Sequence, residues 1–273
     1  MRGLLRKLLA QPGDPVSYQL RLIGADGSET HTPLNPWLGQ RLVLHFSGVI
    51  RCVHCARQTK KSFHQGYCYP CFQRLAQCDL CQMKPETCHA HLGTCREPGW
   101  ADAHCWQPHW VYLSNTSDLK VGITRQGNAI TRWIDQGARQ AIPLYQVETR
   151  RDSGLIERLL ASTLSDRTAW QTLLKGDPPL QDLTARRDQL QQTYRGALEQ
   201  LDCAWQELTD PPLELDYPVL TYPTKVRALN PTQEPRIEGC LQGIKGQYLL
   251  FDQGVINLRK YAGYEVEVSG AAC

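Results

Sequence analysis

Membrane-spanning segments and several common enzyme motifs are absent from this sequence. No apolar run approaches the roughly 20 residues that a transmembrane helix requires. The glycine-rich nucleotide-binding patterns GxxxxGK(S/T) and GxGxxG do not occur, and neither does the GxSxG pattern of serine hydrolases. These absences argue against a transmembrane protein, a P-loop or dinucleotide-dependent enzyme and an α/β-hydrolase.

A secretory signal is also not expected. The opening residues, MRGLLRKLLA, interrupt their leucine pairs with Arg6 and Lys7, whereas a signal needs an unbroken apolar centre. We expect this segment to form a short amphipathic surface helix, with a membrane-surface anchor as the alternative. We expect the protein to be cytoplasmic.

The composition is that of a folded globular protein, with 41% hydrophobic and 21% charged residues. The 273 residues are enough for one large domain or two to three small ones. A net charge of +3 is mildly basic. Such a charge is compatible with a nucleic-acid partner but does not require one.

Cysteine is concentrated in one segment, since nine of the 12 cysteines lie between Cys52 and Cys105. A disulfide-rich secreted protein would be small and would carry a signal, so we interpret these thiols as metal ligands. Two CxxC pairs separated by 12 residues provide four thiolates for one tetrahedral zinc ion: Cys52, Cys55, Cys68 and Cys71. Such a closed site is structural, and its binding energy contributes to folding.

A second zinc ion is expected in the stretch that follows. Cys78 and Cys81 form a third CxxC pair and are its first expected ligands. The other two are drawn from Cys88, Cys95 and Cys105, with His91 as a substitute. Spacing alone does not choose among them. We therefore predict two zinc ions per chain, and a third ion is the alternative.

Residue periodicity and chain-breaking residues predict an α+β fold with five segments. Gly176-Asp177-Pro178-Pro179 is a linker signal because proline cannot continue a helix. A short sequence echo between 39–50 and 246–256 indicates that the two ends of the chain build one flanking β-rich domain. The segments are an N-terminal helix and β segment (1–50), a zinc-ribbon-like module with two sites (51–108), an α/β core (109–176), a long amphipathic helix (177–210) and a β-rich segment (211–273).

Within the core, strands are predicted at 110–113, 119–123 and 142–147, and helices at 129–141 and 153–164. The first strand reads HWVYLSN from His109, and the second reads LKVGIT from Leu119. Arg132 follows on the first helix and Glu157 on the second. This arrangement resembles the core of the GIY-YIG nucleases, which have a Tyr on the first strand, a YIGxT element on the second, an Arg on the next helix and a Glu on a later one.

The resemblance implies phosphodiester hydrolysis. Tyr112, or a water that it orients, would act as the general base, and Arg132 would stabilise charge on the phosphate. Glu157 would hold a Mg²⁺ or Mn²⁺ ion. The sequence departs from the pattern at two positions, with Trp110 in place of the first Gly and Lys120 in place of the second Tyr. Lys120 has no phenol hydroxyl, but its charge is suited to holding a phosphate.

Each of these residues also has a purely structural interpretation. Tyr112 would be a core tyrosine, Arg132 would pair with Asp135, and Glu157 would pair with Arg151 or Arg158 on its own helix. The cysteine module, the α/β core with its TRWIDQGA segment (131–138) and the GIKGQY segment (243–248) together resemble an uncharacterised bacterial family, which implies relatives but no established activity.

Three functions remain open from the sequence. The first is a zinc-containing protein that binds DNA or RNA with a GIY-YIG-like core that has lost catalysis. The second is a Mg²⁺- or Mn²⁺-dependent endonuclease that uses Tyr112, Arg132, Glu157 and Lys120. The third is a zinc-stabilised scaffold whose β-rich domain binds a protein partner. We rank the first slightly above the second.

Overall fold

The computed structural model describes residues 1–164 and 169–272. Within them the chain forms two antiparallel β-sheets, of nine and five strands, with helices and a cysteine-rich segment beside them. No helix in these residues combines the length and apolar character needed to cross a bilayer. In chain order the elements are β1 (Arg2–Leu5), β2 (Leu9–Gln11), β3 (Ser17–Ile23), β4 (Glu29–Pro33), β5 (Gln40–Ile50), α1 (Tyr69–Arg74), α2 (Pro98–His104), β6 (His109–Asn115), β7 (Leu119–Arg125), α3 (Ala129–Asp135), β8 (Gln140–Val147), α4 (Arg150–Leu160), α5 (Trp170–Leu173), α6 (Leu183–Leu198), β9 (Gln206–Glu207), β10 (Leu213–Glu214), β11 (Arg236–Lys245), β12 (Tyr248–Phe251), β13 (Gly254–Asn257) and β14 (Tyr264–Ala272).

The N-terminal segment forms strands, so the helix predicted there is wrong. β1 pairs with both β14 and β3, and the Met1 amino group donates a hydrogen bond to the Val268 carbonyl at 2.8 Å. Leu5 and Leu8 are fully buried. A short run with two leucine pairs is compatible with a helix or with a strand. Pairing with a strand from the other end of the chain favours the strand here.

The nine-stranded sheet draws its strands from both ends of the chain. Its order is β13-β12-β11-β5-β14-β1-β3-β2, and β4 pairs with β3. The sheet curls around a core that includes Leu42, Leu44, Val266 and Val268. These residues alternate with more exposed ones, as expected for strands with one buried face. The predicted combination of N- and C-terminal β segments is therefore seen in this sheet.

The five-stranded sheet contains the three strands predicted for the α/β core. β6 lies between β7 and β8 and is antiparallel to both, while β9 and β10 pair with β8. One face of this sheet packs against α4 and α6 through a core that contains Val111, Leu113, Ile142, Ile156 and Leu190. The strand predictions are confirmed because their apolar residues are buried between these layers.

Two helices are shorter than predicted. α3 ends at Asp135 because Gly137 adopts a left-handed φ of 71° before β8 begins. α6 stops at Leu198, so the helix predicted over 177–210 is too long. Leu201 and Trp205 still pack against the same core from irregular structure. The helix therefore ends before these two side chains reach the core.

Asp135 links α3 to the nine-stranded sheet. Its carboxylate accepts hydrogen bonds from Lys7 Nζ at 2.9 Å and from Gln247 Nε2 at 2.8 Å. Gln247 also accepts one from the Leu8 backbone N–H at 2.8 Å. The TRWIDQGA and GIKGQY segments therefore meet at this interface. The expected pair of Arg132 with Asp135 is replaced by these contacts.

Candidate functional site

The first two CxxC pairs bring four thiols together, which we call the four-cysteine group. They are the sulfurs of Cys52, Cys55, Cys68 and Cys71, which all lie within 4.8 Å of one another. The sulfurs of Cys55 and Cys68 are 3.7 Å apart. A tetrahedral zinc ion with Zn–S bonds of about 2.3 Å needs sulfurs about 3.8 Å apart. The four-cysteine group therefore has the number, kind and spacing of donors that could hold zinc.

The backbone around Cys52 prepares its sulfur for metal binding. Burial raises the pKa of the Cys52 thiol, but hydrogen bonds from the backbone N–H groups of Cys55, Cys68 and His54 outweigh burial and lower the pKa to about 6. The turn closes because Ala56 adopts a left-handed φ of 57° and donates its N–H to the Cys52 carbonyl at 3.0 Å. These contacts favour the thiolate, the form that binds zinc.

Three further cysteines form a second thiol group, which we call the Cys88 group. Cys88 packs with Cys81 and Cys105 in one cluster, and all three side chains are buried. The guanidinium of Arg150 lies close enough for its charge to act on each of them. Arg150 also donates its backbone N–H to the Cys105 carbonyl at 2.9 Å. The N-terminus of α4 is thereby attached to the cysteine-rich segment.

The other predicted ligands of the second zinc are divided between two places. Cys78 is buried with the four-cysteine group and Leu75. The Cys95 thiol donates to the Glu97 carbonyl at 3.3 Å, and His91 is exposed. Cys78 and Cys81 belong to two separate 3₁₀ turns joined by an extended Asp79, so this CxxC segment does not curl around a single point. Cys95 packs against the buried cluster of Cys81, Cys88 and Cys105, whereas Cys78 packs with the four-cysteine group.

The predicted catalytic residues of β6 and α3 meet through Gln136. Its amide satisfies both neighbours when the nitrogen donates to Tyr112 Oη at 2.8 Å and the oxygen accepts from Arg132 Nε at 3.1 Å. Tyr112 pairs across the sheet with Gly122, whose missing side chain leaves room for the phenol ring. Lys120 lies two residues from Gly122 along β7, on the same face of the sheet. We call these residues, with Glu157, the Tyr112 cluster.

The electrostatic environment of Tyr112 includes the third predicted catalytic residue. Burial raises the pKa of the Tyr112 phenol, and Arg132 lowers it while the negative charge of Glu157 raises it. Tyr112 is fully buried, whereas Arg132 and Glu157 are half-buried. The structure therefore brings Arg132 and Glu157 within electrostatic reach of Tyr112, although the three come from different elements. Lys120 is only 6% exposed, so it does not offer an open cationic surface.

Positive charge is concentrated around Arg132. Burial lowers the pKa of Arg150 and of Arg259, and the nearby charge of Arg132 lowers both further. The Asp135 carboxylate, 3.9 Å from Arg259, raises the pKa of Arg259, and the thiols of the Cys88 group raise that of Arg150. The guanidinium of Arg132 is thus close enough to the other two to repel them. Guanidinium groups match the geometry of phosphate oxygens, so these side chains could bind a phosphate in addition to Asp135.

These features lie in the part of the chain that comparison with known proteins identifies. A family model described as a protein of unknown function, DUF2797, matches residues 39–266. The chain belongs to the DUF2797 family. No curated protein and no solved structure matches it. In this DUF2797 chain, the four-cysteine group, the Cys88 group and the Tyr112 cluster all fall inside the matched region.

Gln136 was missed as a site residue by the sequence reasoning, although the TRWIDQGA segment contains it. A signal was present, because residues four apart lie on the same face of a helix. Gln136 lies four residues after Arg132, and its amide contacts both Arg132 and Tyr112. A polar side chain at that spacing from a candidate phosphate ligand is the feature that would have identified it.

Proposed function

We propose that this protein binds the phosphate backbone of DNA or RNA at the Tyr112 cluster, with zinc stabilising the cysteine-rich segment beside it. The observation that carries the proposal is the contact chain from Tyr112 through Gln136 to Arg132, next to Arg150 and Arg259. A phosphate at this place would add to the negative charge that Asp135 already provides beside Arg259 and would offset the repulsion among the three arginines.

The arrangement of elements supports a GIY-YIG-like core as the basis of this site. Tyr112 lies on the first strand of the unit, the KVGIT element on the second, Arg132 on the following helix and Glu157 on the next. Gly122 of that second element lies directly opposite Tyr112. Of these placements, the pairing of Tyr112 with Gly122 rests on hydrogen bonding between strands.

The role proposed for zinc is structural. All four donors of the four-cysteine group are thiols, and such a site leaves no coordination position for a substrate. The group lies in the segment that leads into β6, and Arg150 of α4 connects the neighbouring Cys88 group to the α/β unit. Metal binding would therefore fix the position of the module relative to the Tyr112 cluster.

Metal-dependent phosphodiester cleavage is the second candidate, and the charge of Glu157 near Tyr112 favours it. A half-buried carboxylate suits Mg²⁺ or Mn²⁺, which accept one or two carboxylates together with water and phosphate oxygens. When bound, such an ion stabilises negative charge on the phosphate and on the leaving oxygen. Arg132 would contact a non-bridging phosphate oxygen.

Cleavage ranks below binding because of the state of Tyr112. Its raised pKa keeps the phenol protonated at neutral pH, so it can orient a water but is a weak proton acceptor. Lys120 replaces the second tyrosine of the pattern and is buried. The site therefore retains groups that hold a phosphate and lacks an evident strong base.

The test measures binding of fluorescent single-stranded, duplex and branched oligonucleotides by anisotropy over a series of salt concentrations. We expect affinity to fall steeply with salt, and Arg132→Ala to weaken binding and reduce the salt slope by about 1. Arg195→Ala is the matched control, since Arg195 is an exposed arginine of α6 paired with Glu207. Binding that is absent, independent of salt or unchanged in Arg132→Ala would overturn the proposal.

The same oligonucleotides, incubated with Mg²⁺ or Mn²⁺, separate the two candidates. Binding without cleavage supports the first, and cleavage that Glu157→Gln abolishes supports the second. Cleavage unaffected by Glu157→Gln would remove the proposed catalytic site. A stoichiometric protein partner that survives nuclease treatment, together with no oligonucleotide binding, would favour the scaffold.

A further inference from the structure

Asp79, Cys81 and His89 bring three different metal-binding groups to one place. A carboxylate oxygen, a thiol sulfur and a ring nitrogen, one from each residue, all lie within 4.8 Å of one another. Cys81 is buried, whereas Asp79 and His89 are half-buried. No fourth histidine, cysteine or acidic residue of the described chain joins them at that distance. We call these three residues the Asp79 group.

The Asp79 carboxylate does not cap the turn that it begins. Asp79 is the N-cap of the 3₁₀ turn Leu80–Gln82, where an aspartate usually accepts a hydrogen bond from a backbone N–H. Its side chain makes no such bond within the described chain. Instead, its Oδ2 atom forms an ion pair with Arg96 Nε at 2.6 Å. A carboxylate offers about four lone-pair sites on its two oxygens, so this ion pair leaves room for a metal.

The ring of His89 presents a lone pair to Asp79. Its Nδ1 atom lies 2.8 Å from Thr94 Oγ1, and the Thr94 hydroxyl donates its single proton to the His89 carbonyl oxygen at 3.3 Å. The hydroxyl must therefore accept from Nδ1–H, which leaves a lone pair on Nε2 of the neutral ring. That Nε2 atom lies 3.8 Å from Asp79 Oδ2.

A cation between His89 and Asp79 would resolve the contact of these two electron-rich atoms. Their separation of 3.8 Å is too long for a protonated Nε2 to donate to the carboxylate. It is close to the roughly 3.4 Å that separates nitrogen and oxygen ligands of one tetrahedral zinc ion, each about 2.1 Å from the metal. A metal-bound histidine also donates its other ring N–H to an outer partner. In His89 the Thr94 hydroxyl takes that role.

We propose that Asp79, Cys81 and His89 bind a second zinc ion, with water or another small ligand at its fourth position. Zinc accepts carboxylate, thiolate and imidazole, and sites with three protein ligands keep the fourth position open. The thiolate favours zinc over Mg²⁺ or Mn²⁺. Of the ligands predicted for a second zinc, this assignment keeps only Cys81. It is independent of nucleic-acid binding.

The charges of the Asp79 group match those of Zn²⁺. One carboxylate and one thiolate balance the charge of the ion, and the imidazole is neutral. Arg96 then acts as a positioning residue for the carboxylate, as outer partners of ligating carboxylates commonly do. Its own position is fixed, because its Nη1 donates to the Phe72 carbonyl at 3.3 Å and to the Leu75 carbonyl at 3.4 Å.

The Cys88 group is the competing set of ligands, since it also contains Cys81. Its three side chains pack in one cluster, but their sulfurs do not form a group within 4.8 Å of one another in the described chain. The atoms of the Asp79 group do meet that distance. Because Cys81 can serve one ion only, the two assignments are exclusive and can be tested against each other.

A metal in the Asp79 group would close the loop 81–89, on which α4 packs. A Cβ atom on Gly154 of α4 would lie 2.3 Å from the Glu86 nitrogen. The Gln82 carbonyl, in the same loop, accepts from Arg150 Nη2 at 3.0 Å. The ion would therefore stabilise the loop that supports α4.

The first test is the zinc content of the full chain after dialysis, measured by elemental mass spectrometry. We expect two ions in the wild type, one in His89→Gln and two in His91→Gln. His91 is the matched control because it is an exposed histidine of the same segment. Two ions retained in His89→Gln, one lost in His91→Gln, or a single ion in the wild type would overturn the assignment.

A second measurement needs no variant, so it also decides the case in which His89→Gln misfolds and loses both ions. The wild-type chain is loaded with Co²⁺ and titrated with azide. We expect the visible d–d bands to shift, because azide can enter the open position of the Asp79 group, whereas the closed four-cysteine group has no such position. A spectrum that azide leaves unchanged would show that the open site does not exist.

Discussion

The phenol of Tyr112 lies across the backbone of Gly122, so that a Cβ atom built on Gly122 would be 2.7 Å from the Tyr112 hydroxyl oxygen. Both residues are buried in the centre of the sheet, where the ring also packs edge-on against Trp133. The side chain of Tyr112 therefore has little room to move aside. The glycine is required by the tyrosine opposite it rather than by its own backbone conformation.

Gly122→Ala is therefore expected to destabilise the protein by about 1–3 kcal/mol, the range for overpacking a core. It should also displace the Tyr112 hydroxyl from Gln136 and weaken oligonucleotide binding. Denaturant unfolding measures the first effect and anisotropy the second. Gly127→Ala is the control, since nothing lies within 4 Å of a Cβ atom at that position. Equal stability of the two variants would contradict the packing argument.

Short-range patterns made the α/β unit and the four-cysteine group predictable. The alternation around Val111 and Leu113 is set by burial of one sheet face, and two CxxC pairs need only a local turn each to present four sulfurs. The N-terminal strand was not predictable in the same way, because Arg2 pairs with Glu267 from the far end of the chain. The local sequence around Arg2 does not indicate that pairing.

The second cysteine group shows where spacing fails. Cys78 and Cys81 have the same spacing as the first two pairs. The extended backbone at Asp79, however, places them in two different turns.

The four-cysteine group gives a prediction about metal content. Cys55→Ser should remove one zinc ion, because it deletes one of four thiolates, and it should leave any second ion in place. Hydrogen exchange of the backbone in residues 51–75 should become faster, since metal binding contributes to local folding. Cys203→Ser is the control, as Cys203 packs in the core of the α/β unit. Unchanged zinc content in Cys55→Ser would contradict the assignment.

Gly154 determines how closely α4 approaches the cysteine-rich segment. A Cβ atom at this position would lie 2.3 Å from the Glu86 nitrogen and 2.6 Å from the Pro85 carbonyl carbon, both of which are backbone atoms. Alanine in a helix normally gains about 1 kcal/mol over glycine. Here the overlap cannot be relieved by a rotamer change, so Gly154→Ala should destabilise the protein by about 1–3 kcal/mol.

A glycine in another helix provides a matched control for this prediction. Gly196 lies inside α6 with nothing within 4 Å of a Cβ atom, so Gly196→Ala should stabilise the protein by about 0.5–1 kcal/mol. Thermal unfolding of the two variants should therefore shift in opposite directions. A Gly154→Ala variant that is as stable as Gly196→Ala would show that α4 and the cysteine-rich segment do not pack as closely as described.

Lys245 is a fully buried cation. The partners of its ammonium group lie in the segment that the sequence predicts to be a linker. Its Nζ donates to the Gly176 carbonyl at 3.0 Å and to the Asp177 carboxylate at 2.7 Å, and it lies 5.1 Å from the ring centre of Tyr222. Burial lowers the pKa of Lys245, and the hydrogen bond to Asp177 raises it. Asp177→Asn therefore leaves a buried ammonium with a neutral partner, which should lower the free energy of unfolding by about 1–3 kcal/mol at pH 7.

The sign of the pH dependence follows from the same contacts. Because the pKa of Lys245 is lower in the folded state than in the unfolded chain, the folded state binds fewer protons just below the ordinary lysine pKa of about 10.4. Stability from this group should rise as the pH increases toward that value. Asp177→Asn removes a contact that raises the pKa of Lys245. The stability of this variant should therefore rise more steeply with pH than that of the wild type. Denaturant unfolding between pH 7 and about 10, with Lys245→Met as the reference that lacks the group, measures the difference. A wild type and an Asp177→Asn variant with parallel pH profiles would show that Asp177 does not stabilise the buried ammonium.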